Sequence, residues 1–202
     1  DYELPISLDY IAKGVKVSDP EGLIGQNWAL NIGGVVTRTM RGGFVDETPG
    51  LGYLWTENAV TPLEQDARSV GLRRRDGESD IFTAVFNGKK VDFIIRMNEN
   101  KQIYALPLGQ TDVRIECEGT STEITGWAIT DNNGDCYIYR QREICKDVEY
   151  VDVSTSNAIS DSGYTSAWHL TCILPYNGAA IGFHYNGDAM LSTNNPVSDN
   201  IL

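Results

Sequence analysis

Hydrophobic and polar residues alternate along much of the chain, which is the pattern of β-strands with one buried face. The clearest stretch is SDIFTAVFNGKKVDFIIRM, residues 79–97. Its centre, Asn87-Gly88, favours a type I′ hairpin turn because both residues tolerate positive φ. The second half of the stretch predicts one buried strand face made of Val91, Phe93, Ile95 and Met97.

Other stretches repeat this alternation. TDVRIEC, residues 111–117, predicts that Val113, Ile115 and Cys117 face inward. SAWHLTCIL, residues 166–174, puts four residues on one core-facing side: Trp168, Leu170, Cys172 and Leu174. Trp28 likewise shares a face with Leu30 and Ile32. Further Asn-Gly pairs at 177–178 and 186–187 predict two more hairpin turns.

Helical patterning is limited to residues 61–72, where Pro62 precedes a short amphipathic run. Strands at roughly ten-residue spacing with Gly and Asn turns indicate an all-β protein. We therefore predict an antiparallel β-sandwich, Ig-like or jelly-roll in type, with little helix. No internal linker or repeat divides residues 1–202, so we expect one domain, with a linker beginning near residue 193 if the chain continues.

The charge balance excludes a nucleic-acid partner. The chain carries 16 Lys and Arg against 28 Asp and Glu, a net charge of −12, whereas binding phosphate requires a basic face. The one basic run, residues 73–75, is followed by Asp76, Glu78 and Asp80, which neutralise it. No apolar run reaches 18 residues, so we also expect no membrane span.

The four cysteines favour an exported protein. They contain no CxxC pair, which argues against zinc and for two disulfides formed in an oxidising compartment. No asparagine begins an N-x-Ser/Thr sequon, which favours a bacterial secreted or surface protein. The disulfide candidates are Cys117, Cys136, Cys145 and Cys172.

All three disulfide pairings remain open. A local Cys136–Cys145 bridge would need a turn at Arg140-Gln141, which do not favour positive φ. If 135–144 is instead one strand, those sulfurs lie ~30 Å apart at ~3.3 Å per residue. That alternative favours Cys117–Cys145 with Cys136–Cys172.

No catalytic signature is present. The two histidines, His169 and His184, fall in predicted strands, and there is no GxSxG elbow, P-loop, GxGxxG or HExxH motif. We therefore predict that the protein is not an enzyme and carries no cofactor. The enzymatic alternative is a secreted carbohydrate-active hydrolase on a jelly-roll, which requires two carboxylates in a cleft, one with a raised pKa.

The turn in ITDNNGDCYIYR, residues 129–140, offers oxygen ligands. Asp131, Asn133 and Asp135 alternate as in a calcium loop, but Gly134 falls between them and Glu143 comes too early to close such a loop. We predict a hairpin turn without a metal, whose side chains contact a ligand. Tyr137 and Tyr139, just after it, are predicted to point outward.

Aromatic residues beside amides suit a sugar-binding surface, because sugars present both an apolar face and hydroxyl groups. Besides Asp131, Asn133 and Asp135, the candidate ligand-binding residues are Tyr164, Tyr176, Asn177, Tyr185, Asn186 and Asp188.

The cysteines, the Asn-Gly strands at 81–97 and 168–190, and the polar aromatic loops resemble those of the receptor-binding domain of a bacterial fimbrial tip adhesin. That resemblance implies a β-sandwich lectin on the bacterial surface, bound to a host-cell glycan or glycoprotein and joined to other pilus subunits. It rests on size and pattern, so no binding residue of that family is transferred. A structural surface subunit without a ligand pocket, binding through edge strands, is the remaining alternative.

Overall fold

The computed structural model describes residues 6–10, 28–41, 43–56, 76–145 and 163–185. Several predicted features lie outside these ranges: the helix at 61–72, the Asn-Gly turn at 186–187, Asn186, Asp188 and the linker from residue 193. The shared face of Trp28, Leu30 and Ile32 also lies outside the described side chains. Within the described ranges, no helix is both long enough and apolar enough to cross a membrane.

The described chain is almost entirely strand, with one helical turn, α1, at Tyr53–Thr56. The strands are β1 Ile6–Tyr10, β2 Trp28–Ile32, β3 Val35–Thr39, β4 Ile81–Phe86, β5 Lys89–Met97, β6 Ile103–Pro107, β7 Arg114–Thr120, β8 Glu123–Thr130, β9 Cys136–Cys145, β10 Tyr164–Leu174 and β11 Ile181–Gly182. Every pairing between them is antiparallel. The predicted all-β class is confirmed.

The strands form a nearly closed, barrel-like sheet. Its order is β6-β5-β4-β3-β10-β9-β8-β7, with β11 added to β10 and a separate β1–β2 pair. The two ends of this order, β6 and β7, lie against each other without ladder pairing. The sandwich is not confirmed, because chain neighbours pair edge to edge and the sheet curls back on itself rather than splitting into two layers.

Aromatic side chains fill the interior of the sheet. Trp127 on β8 and Trp168 on β10 meet edge to face, with ring centroids 5.6 Å apart. Phe82 lies 5.1 Å from Trp127 and 5.5 Å from Phe93. All four are fully buried, which confirms the prediction that Trp168 belongs to the core. An eight-stranded sheet encloses a space that side chains alone can fill.

The hairpin between β4 and β5 matches its prediction. Asn87 and Gly88 have φ of 43° and 71°, the two positive values that a type I′ turn requires. Phe93 and Ile95 are buried, and Val91 packs against the core from the same face. Val113, Ile115 and Cys117 also pack against the core as expected.

The predicted face of β10 is only half correct. Trp168 and Leu170 are buried, but the register shifts between Leu170 and Cys172, where Thr171 is an extra residue. The bulge turns Ile173 into the core and puts Cys172 on the outward face beside Ile138. A period-2 reading cannot anticipate such an insertion.

The outward orientation predicted for Tyr137 and Tyr139 is wrong. Both side chains are buried, and Tyr137 packs against Phe86 with ring centroids 5.2 Å apart. The outward positions of this part of β9 belong instead to Cys136 and Ile138.

All four cysteines are free, so the two predicted disulfides are not found. The cysteines occupy different positions in the sheet. Cys117 packs against the core, whereas Cys136 and Cys172 lie on the outward face of β9 and β10. Cys145 ends β9 opposite Tyr164, and the uninterrupted strand Cys136–Cys145 excludes a local bridge between its two ends.

Candidate functional site

One end of the sheet collects the turns that the sequence singled out. Because successive strands run in opposite directions, the β4–β5, β6–β7 and β8–β9 connections meet the turn after β10 at this end. The side chains that matter here are those of Lys89, Asp112, Asn132, Asp135 and Tyr176, which we call the Tyr176 surface.

The turn at 131–135 is a hairpin turn, as predicted. The Asp131 carboxylate accepts hydrogen bonds from the backbone N–H groups of Asn133 and Asp135, at 2.9 and 3.1 Å. The Asp131 backbone N–H donates to the Asp135 carbonyl at 3.0 Å. Asp131 is buried, so it shapes the turn, whereas Asn133 is exposed at its tip.

Tyr176 is fixed over this turn. Its backbone N–H donates to an Asp135 carboxylate oxygen at 2.8 Å. Its ring and Cβ lie 3.0 to 3.3 Å from where a side chain on Gly134 would begin, so the tyrosine covers the glycine closely. The side chain nevertheless remains 73 % exposed. Two sites predicted separately from the sequence, Asp131–Asp135 and Tyr176-Asn177, thus form one surface.

A polar groove adjoins the same turn. The Lys89 ammonium donates to the Asn132 side-chain carbonyl at 2.8 Å and lies 3.7 Å from the Asp112 carboxylate. The groove has a volume of about 510 Å³ and is lined by Lys89, Lys90, Val91, Gln110, Thr111 and Asp112. Charged groups of both signs are paired along it, which makes it polar but close to neutral.

The remaining predicted residues lie elsewhere. Tyr164 begins β10 at the opposite end of the sheet, paired with Cys145, so it does not tip a loop. Tyr185 donates its hydroxyl to the Leu170 carbonyl at 2.7 Å, and burial raises the pKa of its phenol. That bond uses Tyr185 to hold the chain after β11 against β10. Sequence reasoning missed Lys89 and Asp112, because neither belongs to an aromatic or amide pair.

A second polar cluster is buried at the other end of the sheet. The Arg38 guanidinium donates to Glu47 at 2.7 Å, and its Nε lies 3.7 Å from an Asp80 carboxylate oxygen. Its central carbon is 5.0 Å from the Phe82 ring centroid and 5.3 Å from that of Trp168. This cation therefore sits between aromatic faces and carboxylates inside the sheet.

The carboxylates around Arg38 are strongly desolvated. Burial raises the pKa of Asp46 to about 6. Burial, followed by the neighbouring charge of Asp46, raises the pKa of Asp80 to about 7. Burial also raises the pKa of Asp76 above its usual value. A hydrolase needs such carboxylates in an open cleft, and these three are buried.

Among the described residues, Asp46, Asp76 and Asp80 form the one cluster that could bind a metal ion. One carboxylate oxygen of each lies within 4.8 Å of the others. Oxygen donors suit calcium or magnesium. The oxygens of Asp46 and Asp80, however, already accept four hydrogen bonds, from Ser79 Oγ and from the backbone N–H groups of Arg41, Asp46 and Asp80. Those bonds and Arg38 stabilise the two carboxylates within the protein itself.

The exposed pair of His169 and Glu143 does not form a catalytic triad with the nearby serine. His169 Nε2 lies 3.3 Å from a Glu143 carboxylate oxygen, and the Ser166 hydroxyl donates to the other carboxylate oxygen at 3.4 Å. A serine nucleophile would need to donate to the histidine. The glutamate instead accepts from both residues, and the hydrogen bond from His169 holds the pKa of Glu143 below its usual value.

Comparison of the chain with protein-family models, with curated proteins and with solved structures found no match. What the Tyr176 surface can bind therefore follows from its geometry. Among the described residues it combines an exposed, fixed aromatic ring with a polar groove.

Proposed function

We propose that the protein is an extracellular binding domain that recognises a glycan through the Tyr176 surface. The observation that carries this proposal is the position of Tyr176, whose backbone N–H donates to the Asp135 side chain while its ring remains exposed. An exposed aromatic face on a rigid turn can stack against a sugar ring.

The ring supplies the apolar part of recognition. Sugars stack the C–H groups of one ring face on an aromatic side chain, which combines dispersion with an electrostatic contribution. Tyr176 is already held over Gly134, so binding would order few additional bonds of this side chain. A preorganised contact of this kind loses less entropy on binding than a mobile one.

The neighbouring polar groups supply orientation. Lys89 and Asn132 are already hydrogen-bonded to each other, and Asp112 lies within an ion-pair distance of Lys89. The remaining donors and acceptors of this network can form hydrogen bonds with the hydroxyl groups of a sugar. Because the positive and negative charges are paired, the groove suits a neutral sugar better than a strongly anionic one.

A surface this open binds each sugar weakly, so many copies acting together would supply useful affinity. We propose a host-cell glycan or glycoprotein as the ligand and the bacterial surface as the setting, with other pilus subunits as partners if the domain is fimbrial. The resemblance to tip adhesins and the sequon-free sequence support this setting. Neither the fold nor the free cysteines support the bacterial-surface setting further. Glycan binding is therefore the main proposal.

The decisive experiment is a broad glycan array probed with the domain displayed multivalently. We expect binding to a coherent set of glycans, loss of that binding in Tyr176→Ala, and retention in Tyr176→Phe, which keeps the ring. Ile144→Ala is the matched control, because it removes an exposed apolar side chain from β9 away from this surface. Silence of the wild-type protein across the array would reject glycan recognition and favour a protein receptor.

A further inference from the structure

The hairpin turn between β8 and β9 lies between two parts of the Tyr176 surface. On the β9 side, Tyr176 covers Gly134 and donates its backbone N–H to the Asp135 carboxylate at 2.8 Å. On the β8 side, the Asn132 side-chain carbonyl accepts a hydrogen bond of 2.8 Å from Lys89, at the start of β5. Neighbouring strands of a sheet lie about 4.8 Å apart. One extended molecule can therefore contact both parts.

The part beyond Asn132 is a groove with no aromatic residue in its lining. Its volume of about 510 Å³ falls within the range of about 300–1,000 Å³ that small-molecule sites occupy. Val91 lines the groove and also packs against the core, which gives the groove one apolar wall. The rest of the lining is charged or polar. Tyr176 is therefore the stacking partner for a sugar, and the groove offers hydrogen bonds.

The charged side chains of the groove are already paired. The Lys89 ammonium lies 3.7 Å from the Asp112 carboxylate. The Lys90 ammonium lies 3.3 Å from the carboxylate of Asp92. A charged ligand would have to compete with these ion pairs, so the groove favours an uncharged one.

Neutral hydrogen-bonding groups remain available in the same place. Within the described part of the chain, the exposed Gln110 side chain has no partner. The Thr111 hydroxyl oxygen accepts from the Val113 backbone N–H at 3.3 Å, which leaves its own O–H without a described acceptor. The Asn132 side chain uses its carbonyl for Lys89, and its amide N–H groups donate to no described residue. A sugar hydroxyl both donates and accepts, so it can bond to each of these groups.

We propose that the Tyr176 surface binds a neutral oligosaccharide of at least two rings, one stacked on Tyr176 and the next hydrogen-bonded in the groove. This inference rests on the glycan recognition proposed above and names its ligand class. A single ring contacts one side of the turn, whereas two linked rings contact both sides. Once the first ring is stacked, the second is held beside the groove at a high effective concentration, which raises the affinity without a stronger contact on either side.

Neutral sugars of increasing length test the second contact. Mannose, galactose and glucose are each immobilised as one, two and three linked rings at equal density, and each is titrated with the multivalent domain. In the series that binds, we expect the half-maximal protein concentration to fall about tenfold or more from one ring to two. A sulfated form of the two-ring sugar should bind no better than the neutral form, because the lysines of the groove are already paired.

A double variant separates the groove from the tyrosine. Gln110→Ala combined with Asn132→Ala removes two of the neutral groups and keeps Tyr176. It should weaken two-ring binding toward the one-ring level, while one-ring binding stays as in the wild type. Gln141→Ala is the matched control, because it removes an exposed amide from β9 away from this surface and should bind every sugar like the wild type. Circular dichroism verifies that each variant is folded.

The outcomes distinguish this inference from the proposed function. Silence of every series rejects glycan recognition itself, and this inference with it. Binding of one ring as tightly as of two rejects the groove contact alone and leaves recognition by Tyr176 in place. A double variant that binds two rings like the wild type also overturns the groove contact. Tighter binding of the sulfated sugar overturns the neutral ligand class.

Discussion

The carboxylates of Asp46 and Asp80 each accept a hydrogen bond from the backbone N–H group of the other residue. The Asp80 N–H donates to Asp46 at 3.0 Å, and the Asp46 N–H donates to Asp80 at 3.3 Å. This reciprocal pair joins the segment after β3 to the start of β4. It holds two acidic side chains in a space from which water is excluded.

This pair should make stability depend on pH in an unusual direction. The pKa values of Asp46 and Asp80 are raised from the usual 3.8 of an aspartate to about 6 and about 7 respectively. The folded protein therefore binds protons more tightly than the unfolded chain does. The stabilisation is fully present below about pH 4 and is lost as the pH rises through 6 and 7. We expect the free energy of unfolding in urea to fall across this range by on the order of a few kcal/mol.

Asp80→Asn provides the test of that assignment. An amide cannot ionise, so the fall in stability near pH 7 that comes from Asp80 should disappear, while the fall near pH 6 that comes from the buried Asp46 should remain. Glu78→Gln, an exposed neighbour paired with Arg41, should leave the profile as in the wild type. A wild-type stability that is constant from pH 4 to pH 7 would contradict the coupling of the two buried carboxylates to folding.

Arg38→Met should be among the most damaging single substitutions. Removing the cation leaves Glu47 and Asp80 buried without it, and breaking a buried ion pair costs about 3–5 kcal/mol. Arg41→Met removes an exposed pair with Glu78 and should cost less than about 1 kcal/mol. Urea denaturation near neutral pH compares the two, and equal losses would show that Arg38 is not held as the structure indicates.

Gly134→Ala should reduce both stability and glycan binding. Gly134 has a φ of 87°, which costs a residue with a side chain roughly 1–2 kcal/mol. Its new methyl group would also press on Tyr176 at 3.0 Å. Gly50→Ala is the matched control, since Gly50 has a φ of 73° but no neighbour within 4 Å. Both variants should lose stability, but only Gly134→Ala should bind multivalent glycan about tenfold more weakly. Equal glycan binding by the two variants would show that Tyr176 does not take part in recognition.

All four thiols should react in the unfolded protein, whereas Cys117 should not react in the folded one. Burial raises the pKa of Cys117 to about 12, so at a pH of about 8 it has almost no thiolate to be alkylated. Mass spectrometry after iodoacetamide treatment should find four modified cysteines in denaturant without reductant. Cys117 should remain unmodified under native conditions. Two cysteines that resist alkylation in denaturant would instead reveal a disulfide.

Local patterns in the sequence predict local structure well here. The Asn87-Gly88 turn and the buried face of β5 depend on residues within one hairpin, and both are confirmed. The hairpin turn at Asn133-Gly134 is confirmed for the same reason. The face of β10 fails beyond Leu170, because a bulge there depends on how β9 and β10 pair and leaves no periodic signal.

Longer-range features are beyond such patterns. A pattern of alternating strands is compatible with both a sandwich and a curled sheet. The pairing of β3 with β10 is what makes the sheet curl. The Tyr176 surface depends on the same strand order, since it unites Asp135 with a tyrosine 41 residues away. Arg38 gives no sequence signal at all, because it becomes a core residue only when the surrounding strands enclose it.

The antiparallel pairing of Val36 with Trp168 joins two strands that lie far apart in the sequence. The other ladders from β3 to β10 join strands that are consecutive in the described order, and the hairpins among them, such as β4–β5, can form early at a small entropic cost of loop closure. The β3–β10 ladder joins distant parts of the chain, so its loop-closure entropy is large. We expect it to form only after the intervening hairpins have brought the two strands together. We therefore expect substitutions in this ladder, such as Val36→Ala, to accelerate unfolding while hardly changing the folding rate.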